Sequence, residues 1–121
     1  VTDVDTDRAL DAMAAAAEAA RTANHAAYDA PRTTASVYAR VGELHSLLCR
    51  VNQLAEVLGE HAGRLAADPA LRADNGGDPR EFARVAGAKL RQASQAVTTA
   101  ATAANDAWSA VSPLYLDEPG G

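Results

Sequence analysis

Between Val37 and Leu65 an apolar side chain recurs at spacings that alternate four and three without a slip: Val37, Val41, Leu44, Leu48, Val51, Ala55, Leu58, Ala62 and Leu65. A seven-residue period held this long describes a helix lying along another helix in a left-handed supercoil. Leu47 and Leu54 form a second row on an adjoining side. One such helix therefore has apolar surface for two neighbours, where the arm of a simple hairpin needs surface for one.

Breakers set the limits of this helix and predict two more. Pro31 lacks an N–H and disfavours helix at the residue before it. The segment Asp29-Ala30-Pro31-Arg32-Thr33-Thr34 then reads as a break, with Asp29 or Thr33 capping a second helix over 34–67; a kinked continuous helix is the alternative. Asp68-Pro69 ends that helix, and Asn75-Gly76-Gly77 marks a loop over 68–78. A short turn of helix around Ala70 to Ala73 fits within this loop. Asp78-Pro79-Arg80-Glu81 opens a third helix over 79–112, with Asp at the cap, Pro at the first helical position and Glu placed for a reciprocal backbone bond. Upstream, a helix over 7–29 is capped by Asp5 or Thr6 and carries the stripe Leu10, Met13, Ala17, Ala20, Asn24 and Ala27. The expected fold is all-α: one antiparallel three-helix, coiled-coil-like domain over residues 1–121, with flexible ends at 1–5 and 113–121.

The stripe assigned to the third helix is Phe82, Ala86, Leu90, Ala93, Val97, Ala100, Ala104, Ala107 and Val111. Folded back on the second helix, it sets Leu65 against Phe82, Leu58 against Leu90, Val51 against Val97, Leu48 against Ala100, Leu44 against Ala104, Val41 against Ala107 and Val37 against Val111. The first helix is expected along the Leu47 and Leu54 side, which marks those two leucines as a packing or oligomer face. The same folding gathers Tyr28, Tyr38, Trp108 and Tyr115 at the pole away from the 68–78 loop. Aromatics with a polar tip suit a surface that is half wet, so this pole is either a structural plug or a partner-binding site.

Composition makes a partner more attractive. About a quarter of the 121 residues are alanine and only 4% are aromatic. Alanine favours helix strongly but buries little area, so the helices are strong and the core thin. Self-association repairs that deficit, and a homo-oligomer is the expectation. Net charge is −5; this argues against nucleic acid and against an anionic membrane surface, both of which select clustered Lys and Arg. A single cysteine, Cys49, precludes an internal disulfide, which suits a reducing cytoplasm; secretion without a cleaved signal peptide is the alternative. The abundance of Ala, Arg, Asp and Gly suggests a bacterial chain from a high-GC genome.

No chemistry declares itself. His25, His45 and His61 lack the His–Glu spacing of a helical zinc or di-iron site. Cys49 has His45 four residues before it and Arg50 beside it, without the cleft and oxyanion site that a nucleophile needs. Gly76-Gly77 precedes a helix N-terminus, but Asp74 and Asp78 flank it and repel anions. Glu43, Glu56 and Glu60 read as a solvated face, with Glu60 and Arg64 at ion-pair spacing. The expectation is no enzyme, no cofactor and no metal.

Three partial resemblances remain. His61-Ala62-Gly63-Arg64 resembles the helix-borne phospho-accepting histidine of phosphotransfer bundles, except that Leu65 stands where those sites place glycine. Length, acidity and alanine content are similar to the helical-hairpin proteins of type VII secretion. That class carries a Trp-x-Gly turn, whereas Trp108 here lies near the end of the third helix; it also has an acidic residue four after a tail tyrosine, where Pro119 follows Tyr115. A lipid-granule coat protein, similar to the phasins, is a further interaction reading. The leading expectation is a non-enzymatic, self-associating interaction or assembly module. A small ligand-binding regulator, or an acidic inhibitor or antitoxin that binds a basic partner, is the alternative beside the secreted hairpin.

Overall fold

A computed structural model describes residues 7–117, so the expectations for residues 1–5 and for the last four positions of the tail lie outside the described residues. The described residues form three helices and no strand: α1 (Arg8–Tyr28), α2 (Thr34–Ala67) and α3 (Pro79–Val111). The chain divides into two units, residues 1–32 and 33–121.

In the first unit, Asp7 caps α1 by accepting from the Leu10 N–H at 2.9 Å, rather than Asp5 or Thr6. The side chain that reaches the orphan N–H groups is the one immediately before the first helical residue. No residue of α1 is buried, and its stripe from Leu10 to Ala27 is exposed throughout.

Pro31 breaks the chain rather than kinking a continuous helix: α1 stops at Tyr28, and Thr33 caps α2 by accepting from the Ser36 N–H. The second unit is an antiparallel hairpin of α2 and α3, helices of 34 and 33 residues. Its loop is held by its own side chains. Asp68 accepts from the Ala70 N–H at 2.9 Å, Arg72 donates to the carbonyls of Pro69 and Leu71, and Asn75 accepts from the Gly77 N–H. These bonds occupy the backbone that a helical turn at 70–73 needs, and that turn does not form. Gly76 supplies the one positive φ among the described residues, 77°, a conformation that glycine adopts without steric cost. Asp78 caps α3 through the Arg80 N–H and Pro79 follows, but Glu81 does not return to the cap: it pairs with Arg84 at 2.8 Å.

The seam between α2 and α3 differs from the one expected by one residue in every second position. On α2 it runs through Val41, His45, Leu48, Asn52, Ala55, Gly59, Ala62 and Ala66; on α3, through Ala83, Gly87, Leu90, Ser94, Val97, Ala101, Ala104, Trp108 and Val111. Leu44, Val51 and Leu65 are not in it, and neither are Phe82, Ala86, Ala93, Ala100 and Ala107, all exposed. The expected pairs Leu44–Ala104 and Leu48–Ala100 each lose one partner. The physical reason is size. Gly59 and Gly87 face each other so closely that a Cβ built on Gly87 lies 3.6 Å from the Gly59 carbonyl oxygen, and Ser94 donates to Asn52 Oδ1 at 2.5 Å. Small residues and one polar pair let the backbones approach, where a leucine column holds them apart. The resulting core is thin: among the described residues only Ala62, Ala101 and Ala104 are buried hydrophobics, with Gly59, Gly87 and Ser94 beside them.

Candidate functional site

Once the seam is located, α2 separates into two lines. The seam occupies one. The other is Leu44, Leu47, Val51, Leu54, Leu58, His61 and Leu65, again at alternating spacings of three and four. Its centre lies about 100° round the helix from the seam, given 3.6 residues per turn. The expected stripe took alternate residues from each line and so ran between them. On this ridge Leu44 is 49% exposed, Leu47 47%, Val51 41% and Leu65 53%, while Leu54 and Leu58 are half-buried. It extends about 32 Å along α2 at 1.5 Å per residue. Scattered exposed leucines are ordinary; here they form a line at heptad spacing, and this makes the ridge the candidate site.

Charge frames the ridge. Glu43, Arg50 and Arg64 fall on its solvent side and are exposed. Glu60 and Arg64 are at ion-pair spacing but do not pair; the ion pairs among the described residues are Glu18–Arg21 and Glu81–Arg84. On the same side of the hairpin, α3 presents Ala93, Ala96, Ala100 and Ala103, all exposed.

At the far end of the hairpin, Trp108 lies flat on α2. Its ring is 5.4 Å from that of Tyr38 and 6.1 Å from that of His45, between centroids. The fit depends on Gly42, because a Cβ there would lie 2.9 Å from Trp108 Cε2. The indole Nε1 is buried without a hydrogen-bond partner. Of the four aromatics expected at one pole, Tyr38 and Trp108 pack together. Tyr28 and Tyr115 are largely exposed and make no ring contact among the described residues.

The catalytic readings gain no support from the geometry. Cys49 Sγ sits 3.6 Å from His45 Nε2 on the surface of α2, beside an open depression of about 300 Å³ that Asn52, Thr98, Ala101, Thr102 and Asn105 also line. No charged group or array of backbone donors converges there to stabilise a developing charge. Among the described residues no group of three or more His, Cys, Asp or Glu could hold a metal ion, and no helix is long and apolar enough to cross a membrane. His61 is exposed on the ridge itself.

Leu47 and Leu54, expected as a separate row, lie on this longer line with Leu44, Val51, Leu58 and Leu65. A signal was present in the helical glycines: glycine weakens a helix, and at Gly42, Gly59 and Gly87 it accompanies a close approach of α2 and α3, though at Gly63 it does not. No known family, characterised protein or solved structure shows a significant match to this chain.

Proposed function

We propose that the chain is a non-enzymatic assembly module that associates through the leucine ridge of α2, with itself as the first partner. The exposed heptad line from Leu44 to Leu65 carries this reading. A thin seam supports it, since a hairpin whose buried hydrophobics are three alanines gains little from its own burial. Acidic composition and the single free cysteine favour a cytoplasmic location and a protein rather than a nucleic-acid partner. The Tyr38–Trp108 contact supports a packing role for the aromatic pole. Multi-angle light scattering on the full chain is the test. The expected result is a species larger than the 12.5 kDa monomer; a monomer at every concentration overturns the reading.

The helical hairpin of α2 and α3 also supports the second reading, an exported protein similar to the type VII class. Export from the producing cell, seen as the intact protein in culture medium without lysis, distinguishes it.

A further inference from the structure

We infer that the partner on the ridge is α2 of a second copy, running antiparallel about a two-fold axis that passes between Asn52 and Gln53, with Glu43 of each copy paired to Arg64 of the other. The inference rests on the self-association proposed above and adds its geometry.

In an antiparallel pair of heptad helices, the two apolar columns of one helix meet the opposite columns of the other, so facing residue numbers sum to a constant. The ridge permits few constants. A sum of 105 sets Val51 against Leu54, Leu47 against Leu58 and Leu44 against His61, each layer occurring twice by symmetry, and leaves Leu65 at the end of the pair opposite Arg40. The flanking residues on the solvent side then meet with a sum of 107, which sets Glu43 against Arg64 and Arg50 against Val57. Moving one heptad in either direction brings like charges together instead. A sum of 98 sets Arg50 against Arg50, and a sum of 112 sets Arg50 against Arg64. Like-charge juxtaposition disfavours those registers, while opposite charges at the rim favour the first. All these charged side chains are exposed, as the pairing requires.

A different two-fold, parallel to the helices, sets the α2 ridge against the exposed alanines of α3 in the second copy. The hairpin register, fixed by Asn52–Ser94 and Gly59–Gly87, then brings Glu43 level with Asp106 of the other copy, two carboxylates together. Charge therefore chooses the first axis. That axis closes the assembly as an isologous four-helix bundle, in which α3 meets its own copy around Ala93, the level that the Asn52–Ser94 contact sets.

Charge reversal and its rescue test the geometry. Sedimentation equilibrium of the full chain, with circular dichroism to establish retained helix, compares the unaltered protein with Glu43→Arg, Arg64→Glu and the double exchange. Each single reversal places two repulsive pairs in the dimer and is expected to weaken it about tenfold or more; the double exchange restores it. A dimer indifferent to all three changes overturns the register but leaves self-association standing. A dimer strengthened by Glu43→Arg overturns it in favour of the parallel axis. An unaltered chain that sediments as a monomer overturns both.

Discussion

Three of the four helical glycines show how single residues set this structure. At Gly42 the missing side chain is the seat of Trp108, and an added methyl meets the indole at 2.9 Å. Gly63 has nothing within 4 Å of a built Cβ. The same substitution therefore has opposite signs at the two sites. Gly63→Ala is expected to stabilise the chain by up to about 1 kcal/mol, the helix-propensity gain alone. Gly42→Ala has that gain outweighed by displacement of the indole, overpacking that costs about 1–3 kcal/mol. Urea unfolding of the two variants, followed by helix signal and tryptophan fluorescence, checks both signs. Gly59 stands between these cases, its built Cβ 3.7 Å from Leu90 Cβ, which is ordinary contact. Asn52 and Ser94 contribute differently: a polar pair within an apolar seam costs some stability and fixes register, as a buried polar residue does in a coiled coil.

Element boundaries were legible because their causes are local. Pro31, Asp78-Pro79 and Asn75-Gly76-Gly77 each act on the backbone within a few residues, and the helices start and stop where those residues stand. The cap on α3 shows how far this goes. Asp78 accepts from the Arg80 N–H as its position predicts, yet Glu81 turns to Arg84 because the guanidinium one turn along offers a stronger donor. Asp78→Ala is accordingly expected to cost about 1 kcal/mol, and Glu81→Gln much less, since it weakens an exposed pair; thermal melts of both variants check the ordering. The seam was not legible, because apolarity and proximity are different properties. Leu44 and Val51 are more apolar than His45 and Asn52, but α3 approaches the line through Asn52 and Gly59, where the side chains opposite are Ser94 and Gly87. A reading weighted by hydrophobicity follows the middle of the broad apolar arc on α2 and so merges two surfaces into one.

Over the whole molecule, those two surfaces divide the work. One joins α2 to α3 with small residues and a polar pair; the other sets six large apolar side chains on the outside of the hairpin. In the assembly proposed above, such a hairpin draws much of its stability from the copy on the ridge, so folding and association are coupled and apparent stability follows concentration. Thermal unfolding of the full chain and of Leu47→Glu, each across about two decades of protein concentration, tests this most directly. The expected result is a melting temperature that climbs with concentration for the unaltered chain, and a lower, concentration-independent one for Leu47→Glu. A melting temperature that is the same at every concentration in the unaltered chain, and that the glutamate leaves in place, contradicts it.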